Sequence, residues 1–440
     1  MLSRTTRLLF VLAIVLLLPF ELYATHIRAG QITAERDLTS TDPLAYKFTL
    51  VLYRDKTGVP QDEAELDMGV NQGQGGNVIL SARFSRKRDL GGFAQTEELT
   101  FEFKFTYPAT GKYTVSFTEE NRNAQVVNMA QSVATPFHIE TEFLISPTLG
   151  LNNSVVLRNP PIDRATVGQR FCHNPDAFDS DGDSLSYRLV VPFQKVGQPV
   201  NGYFSPEAVT PLGTPESGSG APTFTIDPVK GTICWDAPGP RKRGGGEIAS
   251  PGDYAEYNIA FIVDEWRKTS NGYQTVGSVR RDMQIRVEFN PNKRPELIIP
   301  NDTCIVAGTN LEKFIRAIDP DGNQVSIGSE SAIFSTDRDV FPNQPPATLT
   351  PYATIDKPIF QNSPAQSLFK WQTDCQHVRA QPYAVVFRAE DNPSDITKRL
   401  TDTKTWLIRV VGPKPTGLKA TPSGKTMQLT WDPYRCANAR

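Results

Sequence analysis

The chain is poor in the residues that most often carry chemistry: it has 5 cysteines and 4 histidines in 440 residues, and His26, His138, His173 and His377 are scattered. No Cys-x-x-C pair occurs, so the usual spacing of a structural zinc site is missing. Neither Gly-x-Ser-x-Gly nor His-Glu-x-x-His is present. That removes the nucleophile elbow of α/β hydrolases and the two-histidine helix of zinc peptidases. The glycine-rich stretches at 73–76 and 244–246 lack the Lys-Ser/Thr that completes a phosphate-cradling loop. An excess of one charge is also lacking: 46 basic residues stand against 48 acidic ones, so no bulk field draws nucleic acid or an anionic membrane. Long helix-period stretches are hard to find, whereas Pro (35) and Gly (31) are plentiful. Many short strands joined by turns, an all-β fold, is the reading this composition favours.

The only long apolar run is at the start. Arg4 and Arg7 precede an unbroken apolar core from Leu8 to Leu18, and Pro19 to Ala24 supply a breaker and cleavage region. That core falls short of the roughly 20 residues needed to span a bilayer as a helix, so residues 1–24 read as a signal peptide. The mature chain then begins at Thr25, and the protein is expected to be exported, extracellular or at the cell surface, and not transmembrane. In an oxidising compartment disulfides are the default for Cys172, Cys234, Cys304, Cys375 and Cys436.

The most informative feature is a repeat. Ala177-Phe-Asp-Ser-Asp-Gly-Asp183 returns as Ala317-Ile-Asp-Pro-Asp-Gly-Asn323. Each copy follows a cysteine (Cys172, Cys304) and precedes a tryptophan with a second cysteine (Cys234-Trp235; Trp371 and Cys375). Each unit then closes on an alternating strand ending in aspartate, at Asp264 and at Asp391. Tandem modules follow from a repeated block of this size. We therefore pair Cys172 with Cys234 and Cys304 with Cys375, inside one unit each, leaving Cys436 over.

Period-two patterning divides the chain into tandem β-sandwich modules of immunoglobulin type. Residues 25–155 form an N-terminal module, with Tyr46, Phe48, Leu50 and Leu52 on one face and Phe101, Phe103, Phe105 and Tyr107 on another. Residues 156–290 and 291–412 are the two repeat units, and the proline-flanked Asn290–Pro295 junction is expected to hold them as a rod. Residues 413–440 read as two strands around a turn at Ser423-Gly424, with Leu418, Ala420, Met427, Leu429 and Trp431 on one face. These resemble the opening strands of a fibronectin type III domain, and the chain is expected to stop inside that domain, whose full length is about 90–100 residues.

The acidic repeats admit two readings. Asp179, Asp181 and Asp183, and Asp319, Asp321 and Asn323, place hard oxygens on alternate residues around a tight turn, with Asp264 and Asp391 placed to complete each set for calcium. Asp-Gly is equally a favoured turn pair that needs no metal. Neither copy is an EF-hand, because glycine falls at position four and not six.

Thr25-His-Ile-Arg-Ala-Gly-Gln-Ile-Thr33, followed by Tyr46-Lys-Phe-Thr-Leu-Val-Leu-Tyr-Arg-Asp55, resembles the opening of large secreted surface proteins of Bacteroidota, often labelled gliding-motility-associated or type IX secretion substrates. The resemblance continues in patches through Tyr113-Thr-Val-Ser-Phe117, Asn159-Pro-Pro161, Cys172, Ala177–Tyr187 and Leu429-Thr-Trp431, though Arg28-Ala29 departs from the usual Val-Gly. It implies immunoglobulin-like, cadherin-like and fibronectin type III modules in series, ending in a sorting domain that directs passage across the outer membrane. A cadherin-type calcium linker is incomplete here, since Asn290–Pro295 contains no acidic residue.

No catalytic constellation emerges, and the expected role is a non-enzymatic stalk or adhesin that recognises a surface polysaccharide or a protein through its loops. The alternative is a carbohydrate-binding accessory region of a larger exported enzyme. Arg241-Lys-Arg243 is either a patch for an anionic polymer or a solvated loop, and Tyr203, Phe204 and Tyr273 are candidates for stacking on sugars.

Overall fold

The structure is a computed structural model that describes residues 27–70, 77–90, 95–162 and 164–436. The expected export sequence and most of the glycine-rich stretch at 73–77 lie outside those residues. Among the described residues the fold is all-β, with only short 3-10 turns beside the strands, and no helix is long and apolar enough to cross a membrane.

The first module supplies β1 (Ile27–Arg36), β2 (Ala45–Asp55), β3 (Glu63–Asp67), β4 (Ile79–Asp89), β5 (Thr96–Thr106), β6 (Gly111–Glu119), β7 (Phe137–Ser146) and the short β8 (Gly150–Leu151). Its alternating faces point as the sequence pattern requires. Tyr46, Phe48, Leu50, Leu52, Phe101, Phe103, Tyr107, Val115, Phe117, Ile139 and Phe143 are all buried in one core.

The second unit runs through β9 (Val156–Leu157), β10 (Arg164–Thr166), β11 (Phe171–His173), β12 (Ala177–Phe178) and β13 (Ser184–Val190). It continues with β14 (Phe193–Lys195), β15 (Gln198–Pro199), β16 (Phe224–Ile226), β17 (Ile233–Trp235), β18 (Tyr254–Thr269) and β19 (Gly272–Glu288). The β18–β19 hairpin does not stay within its unit. β1 pairs with β19 at Ala29↔Met283, and β7 pairs with it at Phe143↔Gly277. The strands β19-β1-β2-β5-β4-β3-β6-β7 therefore close back on β19 and leave no open edge in that ring. The boundary read at 155/156 is accordingly a shared sheet and not a linker.

A buried ion pair welds this seam. Arg122 and Asp282 are both fully buried, and Arg122 Nη2 donates to Asp282 Oδ2 at 2.7 Å. The guanidinium also donates to Asn258 Oδ1 (3.1 Å) and to the carbonyls of Pro136 (3.0 Å) and Phe193 (2.9 Å). Such saturation is what allows a buried charge pair to persist.

The third unit contains β20 (Glu296–Ile298), β21 (Thr303–Val306), β22 (Asn310–Ile318), β23 (Gln324–Gly328), β24 (Thr348–Thr350), β25 (Phe360–Gln361), β26 (Ala365–Gln372), β27 (Tyr383–Asn392) and β28 (Thr401–Val411). One sheet runs β20-β22-β26-β24 and the other β21-β28-β27-β23-β25, with β21 parallel to β28. Apart from the added β21 and β25, this is the immunoglobulin arrangement, strands A, B, E and D over strands C, F and G. The second unit repeats it: β9 on β12 and β11-β17-β16 form one layer, and β13-β18-β19 with parallel β10 form the other. Trp235 and Trp371 stand on the same strand of the two units, both buried, opposite Phe171 and Leu311. The tandem immunoglobulin-like reading therefore rests on strand order itself.

That register also corrects one disulfide. Cys172 and Cys234 face each other on β11 and β17 and are bonded. Cys304 lies on β21 in the opposite sheet, exposed and unbonded, and Cys375 pairs instead with Cys436. Cys304 is thus not the counterpart of Cys172. The counterparts of Cys172 and Cys234, one step from the Trp pair, are Glu312 and Lys370, which form a salt bridge of 3.1 Å.

The two repeat units lie against each other along a broad flank. Asn174 Nδ2 and Thr232 Oγ1 both meet Thr405 Oγ1, at 2.9 and 3.0 Å, Arg158 Nε donates to the Glu330 carbonyl, and Lys230 pairs with Asp302. Even the first module reaches the third unit, through Arg88 and Asp356 at 2.7 Å. The rod expectation fails here, because it considered only the junction peptide and not the flanks. At the C-terminal end, β29 (Lys419–Ser423) and β30 (Thr426–Thr430) form the hairpin read from sequence, with Leu418, Met427, Leu429 and Trp431 exposed.

Candidate functional site

Both acidic repeats occupy the same place in their units, the turn from β12 to β13 and from β22 to β23. In each, the first aspartate folds the turn. Asp179 Oδ1 accepts from the Asp183 amide at 2.8 Å, and Asp319 Oδ1 from the amides of Asp321 (3.0 Å) and Asn323 (2.8 Å). The second aspartate grips the chain leading into the unit. Asp181 Oδ2 accepts from the Asn153 amide and Asp321 Oδ2 from the Lys293 amide, both at 2.7 Å. The turns are thus cradles that hold the leading segment of each immunoglobulin unit. The positive φ of Gly182 and Gly322, 82° and 79°, is where each cradle needs its glycine.

A carboxylate from the long strand completes each cradle, and here the sequence reading slips by one residue. Asp391 lies opposite Val325, and the residue opposite the equivalent Leu185 is Glu265, not Asp264. Asp264 points to the other face, where Arg188 holds it at 2.8 Å. One step along a strand reverses the side chain, and a count of eight residues from the matching tyrosines, Tyr257 and Tyr383, arrives at Glu265 and Asp391. Glu265 accepts from Asn152 Nδ2 (2.6 Å) and the Val155 amide (2.9 Å). Asp391 correspondingly accepts from Asn292 Nδ2 and from the Leu400 amide (2.6 Å). Gly277 makes room for the first of these, since a Cβ there would lie 2.8 Å from Glu265 Oε2 and 3.0 Å from Asn152 Nδ2.

The cradles differ in what closes them. In the first, Arg267 donates to both oxygens of Asp183, to Asp181 (3.3 Å) and to Asn152 Oδ1 (2.8 Å). In the second, Asn323 Nδ2 donates to Asn292 Oδ1 at 3.0 Å, an amide doing what a guanidinium and a carboxylate do in the first. Burial raises the carboxyls of Asp179 and Asp391, each to about 7, with neighbouring aspartates adding to the rise. Glu265 is pushed well above its ordinary value by burial and by Asp179. Asp179 Oδ2 and Asp319 Oδ2, the same atom in both copies, are buried and without a hydrogen-bond donor. Among the described residues no three Asp, Glu, His or Cys side chains converge closely enough to cage an ion.

Glu265, Arg267, Asn152, Asn153 and Asn292 are the members that sequence reasoning missed. The Asn152-Asn153 pair just before β9, matched by Asn292-Lys293 just before β20, is the signal that would have found three of them. Alanine at Glu265 leaves Asn152 Nδ2 and the Val155 amide without an acceptor, so a loss of about 2–4 kcal/mol is expected in urea unfolding. Asn at Asp264 removes one partly exposed pair and is expected to cost under about 1 kcal/mol.

The other candidates resolve into structural roles. His138 is buried with both ring nitrogens engaged, by Thr118 and Glu140. In the basic loop Lys242 pairs with Asp253, and Arg243 lies over the Tyr254 ring and donates to Gln125. Tyr203 packs on Val126, Met129 and Val200, whereas Phe204 and Tyr273 stay exposed.

No family model matches the sequence, and no curated protein is similar enough to count as a relative. Similar solved structures include tandem Ig repeats of Dlar, at 10% identity over 59% of this chain and 98% of that one, with a TM-score of 0.21. Titin domains z1z2 in complex with telethonin match at 9% over 60% and 100%, TM-score 0.17. The sialic acid binding region of a Streptococcus sanguinis adhesin matches at 12% over 60% and 80%, TM-score 0.20. Scores this low add nothing to the strand order, which carries the fold assignment alone.

Proposed function

We propose that this protein is a secreted, cell-surface recognition or spacing protein, a stalk or adhesin-like molecule without catalytic activity. The observation that carries the reading is the tandem of two immunoglobulin-ordered units, each stapled at its leading segment by the same cradle, the second unit closed by an internal disulfide and the third tied by one to the C-terminal segment. Repetition of a stapled module presents loops at fixed spacing, which serves recognition and load-bearing. The sequence resemblance to Bacteroidota surface proteins supports export by the type IX route and a part in gliding or adhesion. Binding of the purified mature chain to a glycan array and to intact cells tests the proposal; saturable binding is expected, and silence on both overturns a recognition role.

One observation favours the runner-up, a carbohydrate-binding region accessory to an exported enzyme. A groove of about 970 Å³ opens where the three modules meet, lined by Glu35, Lys47, Arg158, Asp181 and Asp339 beside Phe178. Glycan binding lost in Lys47→Ala and Asp339→Ala would place the ligand there.

Calcium, where bound, suits the second cradle better than the first. Arg267 already supplies positive charge to the first, whereas Asp319, Asp391, Asn292 and Asn323 gather with no arginine or lysine side chain bonded to them. Calcium there would neutralise two buried carboxylates and stiffen the junction between the units. A rise in the unfolding midpoint with calcium, reversed by chelator and abolished in Asp319→Ala but kept in Asp183→Asn, is the expected result. An unchanged midpoint makes both cradles metal-free turns.

A further inference from the structure

Asp176 has no part in the cradles and no need in an immunoglobulin unit. It stands one residue before β12, and its counterpart before Ala317 is the exposed Arg316, bonded to Gln366. Yet Asp176 is 3% exposed and adopts a left-handed backbone with φ of 50°. Aspartate is among the few non-glycine residues that adopt this conformation, and its amide is fixed here by Asn174 Oδ1 at 2.8 Å.

What surrounds it is the flank of the third unit. Ser331 Oγ donates to Asp176 Oδ1 at 2.8 Å while accepting from the Val386 amide at 2.9 Å, so the hydroxyl is fixed from both sides. Among the described residues Asp176 Oδ2 has no donor. Asp176 lines a cavity of about 40 Å³ between the two units, walled also by Phe178, Ala332, Phe341 and Tyr383. Space of that size admits a water molecule.

We propose that Asp176 is a proton-operated latch between the second and third units: with the carboxyl neutral the units dock on Ser331, and ionisation loosens the flank. Burial raises the Asp176 carboxyl to about 7, opposed by Arg158 and by the Ser331 hydrogen bond and reinforced by Glu330. The other facing groups are the phenols of Tyr187 and Tyr383, and Asp179, Asp183 and Arg379, which line the same cavity, together with the phenol of Tyr352, which feels the Asp176 charge. Arg158 spends its Nε on the Glu330 carbonyl, and no cation bonds Asp176 directly.

The sign follows from linkage. The docked value lies above the ordinary carboxyl value of 3.8. Docking is therefore strongest in acid, falls by about tenfold per pH unit as pH rises towards 7, and levels off above it, for one linked proton.

The experiment uses the whole mature chain with Cys304→Ser and a reporter thiol, Ala332→Cys, in the cavity wall. Labelling by a disulfide reagent active from pH 5 to 9, corrected with an unfolded peptide bearing the same thiol, gives the opening constant at each pH. The opening constant is expected to rise at least tenfold between pH 5 and 7 and then level, and Asp176→Asn, which also tolerates the left-handed backbone, is expected to hold it low throughout. Ser331→Ala is expected to raise opening at every pH while keeping the slope. An opening constant equal at pH 5 and 8, or a slope that survives Asp176→Asn, overturns the latch.

Discussion

Alanine at Arg122 is expected to cost about 3–5 kcal/mol, the scale seen when one partner of a buried ion pair is removed. The substitution strands Asp282, itself fully buried, and leaves the carbonyls of Pro136 and Phe193 and the side-chain oxygen of Asn258 without this donor at once. Damage should concentrate at the seam where β19 meets β1 and β7, so hydrogen exchange there should accelerate far more than in the third unit. A urea midpoint within error of the parent would show that water or another cation reaches Asp282. Arg122→Met combined with Asp282→Leu separates the pair from the packing. Because the cost of the single change is mostly the stranded charge, the double variant is expected to recover most of the lost stability.

The register of the repeats makes the second large prediction. Glu312 and Lys370 occupy in the third unit the positions of Cys172 and Cys234 in the second. Cysteines at both, in the presence of oxidant, are expected to bond and to stabilise the third unit by about 3 kcal/mol through the closed loop. The parent salt bridge is partly exposed on both sides and accounts for under about 1 kcal/mol of that difference. Comparing unfolding of the oxidised variant with that of the oxidised parent, in which both native disulfides stay closed, isolates the effect, and a pair that stays reduced under oxidant would show that the two strands are not placed alike. The converse change, serine at Cys172 and Cys234, should cost a similar amount.

Much of this was legible in the sequence for definite reasons. In the first module most of the inward, alternate residues of β2, β5, β6 and β7 are apolar, and period two needs no context to read. The repeated Asp-x-Asp-Gly turn and the Cys172–Cys234 bond followed from residues close to one another in the repeat. The full length of the β18–β19 hairpin is not legible in the sequence, because its buried positions include Asn258, Glu265, Arg280, Arg281 and Asp282, which break the apolar pattern. Those polar residues are satisfied by partners more than a hundred residues away, as Asn152 does for Glu265 and Arg122 for Asp282. The cradle was half legible for a related reason. Alternate aspartates announce a turn, but which strand residue faces them is a matter of register, and Asp264 and Glu265 differ by one step. Cys304 misled because a cysteine at similar spacing need not sit on the same strand.

The Cys375–Cys436 bond has a mechanical consequence. A pull on the chain at Cys436 enters the third unit at Cys375, so β27 and β28 lie inside a closed loop and carry none of the load. The bond separates residues 61 apart in sequence, and Cys172–Cys234 closes a separate loop of 62. At roughly 3.5 Å per extended residue, each loop withholds about 200 Å of contour length until its sulfurs are reduced. A chain built this way yields in short steps under force, and its reach is set by the redox state of its surroundings.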